Sequence, residues 1–275
     1  MGRVGVIYTG KLGDIVGTLP RSYELHKLGH RVVHYASKSW SEFLERVVPY
    51  VEVRAIDGDA PTSYPLARDL ARVECEQVFD RQIFPGLIWD YRGSKQTWCD
   101  YYFRDVPEWK TRTGPHLFRQ ETQQFHSKRL IVSMHGVSSP LVVNWGWVDR
   151  VIQRLKATGV IDHVIYTCAP WEVCPLTGVQ IDHSPAWDLP RLILGSRMAF
   201  MRNSGPAWMA YSLGTPTLHM PDSCFPETDT AGLMMRDGRL YHAPNMIPLP
   251  HFADSAAIDD AMAKVLQLPW LGGAQ

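Results

Sequence analysis

Short apolar runs alternate with longer stretches of helical spacing along the first part of the chain, and this alternation predicts an α/β protein. The order of strand, helix, strand, helix, strand favours a parallel sheet, because right-handed crossovers connect parallel neighbours. Pro20 is expected either to kink the first helix or to mark its first turn. The predicted elements are strands at 3–8, 31–35, 51–56 and 74–83 and helices at 15–28, 39–47 and 94–104.

A second array of the same kind follows and predicts a second domain. A polar stretch at 106–127, with two prolines and one glycine, separates the two arrays. We therefore expect an N-terminal domain over residues 1–127 and a C-terminal domain over residues 128–275. The predicted elements of the second array are strands at 129–134, 162–167, 198–201 and 217–220 and helices at 147–158, 187–194, 206–213 and 256–266.

The charge balance narrows the classes of partner. Lys plus Arg and Asp plus Glu each number 28 among 275 residues, and the pI is about 7.2. Such a balance gives no electrostatic footprint for broad adhesion to nucleic acid. Hydrophobic residues make up 45% of the chain, which is enough for a sizeable core, but no apolar run approaches membrane-spanning length. Peripheral contact with a membrane is left open.

Cysteine usage bears on the compartment. The five cysteines are scattered and form no C-x-x-C pair, so neither a zinc framework nor a disulfide scaffold is indicated. This usage fits a reducing compartment, and we expect a cytoplasmic protein.

The stretch Arg202–Pro216 (RNSGPAWMAYSLGTP) has the pattern of a strand end, a turn of small residues, a short helix and a glycine stop. Ser204 or Gly205 can cap the helix that Pro206 opens. Small residues at this point place backbone N–H groups at the positive end of a helix, which suits a phosphate. An ordinary connection between a strand and a helix accounts for the local pattern equally well.

A second loop of interest, Thr9–Asp14 (TGKLGD), follows the first predicted strand. In open α/β sheets such a loop borders the crevice where ligands bind, so a carboxylate at Asp14 can serve as a general base. The alternative is that Asp14 caps the following helix, where it would offset the helix dipole by about 0.3–1 kcal/mol. Lys11 and Arg92 are candidates for holding an acidic acceptor, although surface cations are the default explanation.

The segments RVGVIYTGKLGDIVGTLP (3–20) and NSGPAWMAYSLGTPT (203–217) together resemble glycosyltransferase family 9, the ADP-heptose:lipopolysaccharide heptosyltransferase family. The stretch 133–159 is similar to the first strand, loop and helix of that family's second domain. The resemblance implies the GT-B fold, in which two Rossmann-like domains face each other across a cleft. It also implies that the N-terminal domain binds the acceptor and the C-terminal domain binds the nucleotide sugar.

The activity that the resemblance implies is inverting, metal-independent transfer of a sugar from a nucleotide-diphosphate sugar to an acceptor hydroxyl, with no cofactor. Asp14 would be the general base. The acceptor would be a glycan or lipopolysaccharide-like molecule, or an unusual one such as a modified DNA base. The alternative to donor binding is a place in the core for Trp171 and a solvated loop position for the Glu172 carboxylate. The predicted donor-binding residues are His135, Gly136, Trp171, Glu172, Asn203, Ser204, Gly205 and Pro206, and the predicted acceptor-binding residues are Lys11, Gly13 and Arg92.

The chain also departs from the family pattern. The family usually has Asp where this chain has Asn203, some members have His where it has Trp208, and a donor-contacting lysine has no counterpart in Pro140–Trp145 (PLVVNW). These departures leave the sugar and the nucleotide open and motivate a second interpretation, an inactive nucleotide-sugar-binding module. A dinucleotide-dependent oxidoreductase is a further alternative, but the glycines at 10, 13 and 17 do not form G-x-G-x-x-G.

Overall fold

The computed structural model describes residues 2–58, 62–80, 125–134, 142–202, 204–221 and 245–269, together with the backbone of 233–236 and 239–242. The chain divides into two compact units, Met1–Arg119 and Gln120–Gln275. The helix expected at 94–104 and the polar stretch expected at 106–127 lie outside the described residues, apart from 125–127.

The N-terminal unit contains a four-stranded parallel sheet in the order β3-β2-β1-β4. The parallel arrangement agrees with the alternation of strands and helices in the sequence. The elements of this unit are β1 (Arg3–Ile7), α1 (Leu12–Lys27), β2 (Arg31–Ser37), α2 (Lys38–Val47), β3 (Glu52–Ile56), α3 (Tyr64–Glu74) and β4 (Gln77–Asp80).

Helices cover both faces of this sheet, which explains why β1 and β2 are almost continuously apolar. Val4 and Val6 of β1 pack with Leu25 of α1 on one face. Ile7 packs with Ala67 of α3 on the other face. Because successive strand residues point to opposite sides, both sets of side chains are buried.

The prediction for α1 was wrong at its start, and α3 was missed. Helix α1 begins at Leu12, so Asp14 lies in its first turn and not in a loop, and Pro20 lies inside the helix without marking its start. Helix α3 was not predicted, although Pro65 occupies one of its first positions, where proline is favoured.

The C-terminal unit contains a six-stranded parallel sheet in the order β12-β9-β8-β5-β6-β7. Numbered from its own first strand and read from β7, this is the order 3-2-1-4-5-6 of the doubly wound α/β fold. The elements are β5 (His126–Ser133), α4 (Trp145–Ala157), β6 (His163–Thr167), β7 (Gln180–Asp182), α5 (Leu189–Leu194), β8 (Ser196–Arg202), α6 (Gly205–Leu213), β9 (Thr217–Met220), the antiparallel hairpin β10 (Leu233–Arg236) and β11 (Arg239–His242), β12 (Met246–Pro248) and α7 (Ser255–Gln267).

The core of this unit lies between the sheet and helices α4 and α7. Phe200 of β8 packs against Trp147 of α4, with ring centroids 6.0 Å apart. Helix α6 is buried on all sides from Ala207 to Leu213. Gly214 ends that helix with φ +72°, the left-handed conformation that glycine adopts without strain, as the sequence predicted.

Strand β9 has the predicted bounds, and β5 begins at His126, two residues before the predicted second domain. The short strands β7 and β12 were not predicted. None of the helices in the described part of the chain combines the length and apolar character needed to cross a membrane.

Candidate functional site

In each sheet the strand order reverses beside the unit's own first strand. The reversal lies between β1 and β4 in the N-terminal unit and between β5 and β8 in the C-terminal unit. In open α/β sheets, ligands bind at this switch point, outside the carboxyl ends of the strands. The segments that follow β1 and β8 are therefore the first places to look for a site, and they are the two segments that the sequence singled out.

The segment after β1 leads directly into α1. Lys11 is the N-cap residue, exposed, and its side chain makes no capping hydrogen bond. Gly13 is buried in the first turn, and Asp14 follows it in that same turn with a half-buried side chain. Asp14 is thus not the N-cap residue of α1, although its charge still lies at the positive end of the helix.

The Asp14 carboxylate has a well-defined partner. The hydroxyl of Tyr8, the residue directly after β1, donates a hydrogen bond of 2.7 Å to Asp14 Oδ2. The Tyr8 side chain is only 3% exposed. A buried ring therefore holds one oxygen of a half-buried carboxylate at the switch point of the N-terminal sheet.

A second carboxylate, which the sequence interpretation missed, lies at the same sheet edge. Asp80 ends β4 and stands beside Ile7 of β1 in the register. Tyr64 donates a short hydrogen bond to Asp80 Oδ2, and burial together with this bond raises the pKa of Tyr64 to about 12. The only signal for Asp80 in the sequence is that an acidic residue follows the apolar residues Val78 and Phe79.

In the C-terminal unit, the segment after β8 enters α6 through Ser204, which is extended with φ −168°. The Ser204 hydroxyl donates to the carbonyl of Arg202 at 3.0 Å, and it makes no capping bond to the helix. The backbone N–H groups of Ser204 and Gly205 have no acceptor within the described part of the chain. Since Pro206 has no N–H, these two amides are the donors that this helix end offers to an anion.

Arg202 is a buried cation at this switch point that the sequence interpretation did not include. Its side chain is 3% exposed at the last position of β8. Burial, and then the charge of Arg202, lower the pKa of His251 below its usual value. His251 Nε2 in turn accepts a hydrogen bond from the backbone of Asn144, the N-cap residue of α4, at 3.1 Å.

The loop after β6 contains Trp171 and Glu172. Glu172 is half-buried, and its Oε2 accepts a hydrogen bond of 2.7 Å from the Ala169 N–H, so the carboxylate closes its own turn. Trp171 is 83% exposed, which excludes the alternative that it is a core side chain. Next to this loop, burial raises the pKa of the Cys168 thiol to about 11.

Several predicted site residues cannot be placed. His135, Gly136, Asn203 and Arg92 all lie outside the described residues. The structure brings Lys11, Gly13 and Asp14 together in one unit and Ser204, Gly205 and Pro206 together in the other. Within the described residues, no three His, Cys, Asp or Glu side chains are grouped as metal ligands.

Comparisons with known proteins bear on the fold. No protein-family profile and no curated protein matches the chain. Among solved structures, E. coli heptosyltransferase WaaC with ADP matches with a TM-score of 0.64 at 12% identity, over 95% of this chain and 99% of that one. A family 9 glycosyl transferase from Veillonella parvula matches with a TM-score of 0.66 at 14% identity, over 96% and 89%.

A third match is the iron-containing heptosyltransferase TibC in complex with ADP-D-β-D-heptose, with a TM-score of 0.60 at 13% identity, over 96% of this chain and 76% of that chain. The resemblance to glycosyltransferase family 9 is therefore confirmed at the level of the fold. The chain has the fold of these glycosyltransferase structures along nearly its whole length.

Proposed function

We propose that the protein is an inverting glycosyltransferase that moves a sugar from a nucleotide-diphosphate sugar to an acceptor hydroxyl. The observation that carries the proposal is the match of the fold to heptosyltransferase structures over nearly the full length of both chains. The WaaC structure contains ADP and the TibC structure contains ADP-D-β-D-heptose, so an ADP-sugar is the first donor to test.

In this proposal the two units form a GT-B pair that faces across a cleft, with the acceptor on the N-terminal unit and the donor on the C-terminal unit. The amides of Ser204 and Gly205 hold the donor diphosphate at the start of α6. Negative charge builds up on this leaving group in the transition state, so preformed donors stabilise the transition state more than the ground state. Arg202 adds positive charge to the same end of β8.

Asp14 is the general base of the proposed reaction. As the acceptor oxygen attacks the anomeric carbon, the acceptor proton passes to the Asp14 carboxylate. The bond between that carbon and the diphosphate oxygen breaks, and its electron pair leaves with the diphosphate. Attack from the side opposite the leaving group inverts the anomeric centre. Since the donor amides and the base together account for the charges that develop, the proposal requires no metal ion.

The remaining predicted residues have supporting roles in this proposal. Trp171 offers an exposed ring on which the nucleoside base can stack. One carboxylate oxygen of Glu172 closes the turn at Ala169. In this proposal that oxygen shapes the pocket for the nucleoside base by holding the turn, and does so more than by contacting the donor itself. Lys11 and Arg92 would attract an acidic acceptor, such as a phosphorylated glycan.

A panel of ligands in a thermal-shift experiment tests the proposal. A ligand that binds only the folded protein raises the melting temperature. At a concentration of 100 Kd it adds about 2.7 kcal/mol to the free energy of unfolding. We expect a response to a nucleoside diphosphate and its sugar, and a weaker response to the matching monophosphate, which lacks the second phosphate. Donor hydrolysis or transfer should then be measured with the responding sugar, with and without EDTA.

The alternatives give different results in the same experiment. A response to a nucleotide sugar without any hydrolysis or transfer would indicate an inactive binding module. A response to NAD alone would indicate an oxidoreductase. Loss of turnover in EDTA would contradict the metal-independent mechanism while leaving glycosyl transfer in place.

A further inference from the structure

Tyr8 is placed to act on the carboxylate that the proposed function uses as its base. It directly follows β1 at the switch point, its side chain is buried, and its hydroxyl donates to Asp14 Oδ2 at 2.7 Å. Resemblance to the glycosyltransferase family did not single out this residue. The contact spans the whole connection between β1 and the first turn of α1.

The Tyr8 ring lies directly against Gly10 in this connection. A Cβ atom at position 10 would lie 2.6 Å from Tyr8 Cε1 and 2.7 Å from Tyr8 Oη. Real Cβ atoms do not approach other atoms this closely, and a buried aromatic ring has little room to turn aside. The absence of a side chain at Gly10 therefore permits the position of the Tyr8 ring from which its hydroxyl reaches Asp14.

The chemistry of the Tyr8–Asp14 pair depends on which carboxylate oxygen accepts the hydrogen bond. Tyr8 donates to Oδ2, and in the proposed reaction Oδ1 takes the acceptor proton. A hydrogen bond donated to a carboxylate favours its ionised form, and the ionised form is the one that can act as a base. It also restricts rotation of the carboxylate, so that Oδ1 keeps one orientation towards an incoming hydroxyl.

We propose that Tyr8 is a positioning residue for Asp14: its buried hydroxyl, admitted by Gly10, orients the carboxylate and keeps it ionised for proton transfer. This inference rests on the proposed function, because it takes Asp14 to be the base. After the proton has moved to Oδ1, Oδ2 becomes the carbonyl oxygen of the acid and still accepts the Tyr8 hydrogen bond. No further reactant is needed.

The test compares Tyr8→Phe with Tyr35→Phe across a range of pH. Tyr35 is a matched control, since it is buried in the same unit and its hydroxyl donates to the Glu74 carboxylate at 3.0 Å. We expect Tyr8→Phe to lower kcat roughly 10- to 100-fold, the range expected for a hydrogen bond to a charged group. The acid limb of its kcat profile should move to higher pH, and the KM for the donor should stay within about twofold of wild type. Tyr35→Phe should leave the pH profile unchanged.

Two further variants keep the inference open to refutation. Gly10→Ala should displace the ring and shift the profile in the same direction, and Tyr8→Phe should cause no further loss in an Asp14→Asn background. Melting temperature and affinity for the donor nucleotide identify any variant that fails to fold. An unchanged pH profile and kcat in folded Tyr8→Phe, with Asp14→Asn inactive, would overturn the role of Tyr8 alone. Full activity in Asp14→Asn would overturn the base assignment itself.

Discussion

Ser22 Oγ and His34 Nε2 lie 2.5 Å apart in the N-terminal unit, where α1 packs against β2. Both side chains are fully buried, and Nδ1 of His34 has no partner among the described residues. Burial lowers the pKa of His34 to about 3, because the imidazolium cation would lose its hydration. The folded protein therefore keeps His34 neutral throughout the physiological range.

This burial makes stability depend on pH. Below about pH 6.5, His34 is protonated in the unfolded chain but not in the folded chain. Because the unfolded state then binds more protons, the free energy of unfolding decreases as the pH falls towards 3. We expect His34 alone to account for a loss of about 2 kcal/mol in the free energy of unfolding between pH 7 and pH 5. Urea unfolding of the wild type and of His34→Gln at both pH values measures the difference. Equal losses in the two proteins would show that His34 does not carry this dependence.

The Ser204 hydroxyl distinguishes anion binding from helix capping. Since it donates to the Arg202 carbonyl and does not cap α6, Ser204→Ala should change the free energy of unfolding by less than about 0.5 kcal/mol. By loosening the turn that presents the two amides, it should weaken the affinity for a nucleoside diphosphate about three- to tenfold. Thermal unfolding and calorimetric titration measure the two quantities.

Asp254 offers the opposite case in the same unit. Its Oδ1 accepts a hydrogen bond of 2.8 Å from the Ala257 N–H and caps α7. Asp254→Ala should therefore cost about 1 kcal/mol of stability without changing the affinity for the nucleotide. If Ser204→Ala behaved like Asp254→Ala in both respects, Ser204 would be a structural residue and not part of the donor site.

Substitution of Trp171 should weaken nucleotide binding without lowering the stability of the fold. Because the side chain is 83% exposed, Trp171→Ala should leave the melting temperature nearly unchanged. Stacking of an aromatic ring on a base is worth about 1–3 kcal/mol, so the same change should weaken nucleotide binding roughly tenfold or more. Trp171→Phe keeps a ring and should restore most of the affinity. Wild-type affinity in Trp171→Ala would place the base elsewhere.

Hydrophobic periodicity predicted the elements that have buried, uninterrupted apolar runs. Strand β1 was found within a residue of its observed bounds for this reason, whereas β9 (TLHM) was found because Gly214 and Pro216 mark where it begins. Helix α1 was started too late because Gly10 and Gly13 read as loop residues, and Lys11 is not a typical N-cap. Strand β7 was missed because three residues carry no measurable alternation.

For the candidate site, two key residues could be predicted from the sequence, but their contacts could not. Asp14 and Ser204 could be singled out because small residues and glycines mark the connections that follow their strands. The contacts of these residues could not be foreseen. The hydrogen bond from Tyr8 to Asp14 depends on how the ring folds over Gly10, and the burial of Arg202 depends on packing that no local pattern encodes.

Asp80 shows why the base must be tested against its neighbours. It lies at the same sheet edge as Asp14, and its carboxylate also accepts a hydrogen bond from a tyrosine, Tyr64. Asp57, by contrast, is an exposed carboxylate of the same unit that pairs with Lys38 at 3.3 Å. Asp57→Asn is thus a matched control for charge removal, and Asp80→Asn tests the competing base.

The most direct test of the account is the turnover of a nucleotide-diphosphate sugar by Asp14→Asn, measured beside Asp57→Asn and Asp80→Asn. Removal of a general base typically costs about 10²- to 10⁴-fold in rate. We expect Asp14→Asn to lose kcat by that factor while it keeps its fold and its affinity for the donor nucleotide, and Asp57→Asn to match the wild type. Asp80→Asn should retain far more activity than Asp14→Asn. Near-wild-type turnover in a folded Asp14→Asn protein would contradict the account.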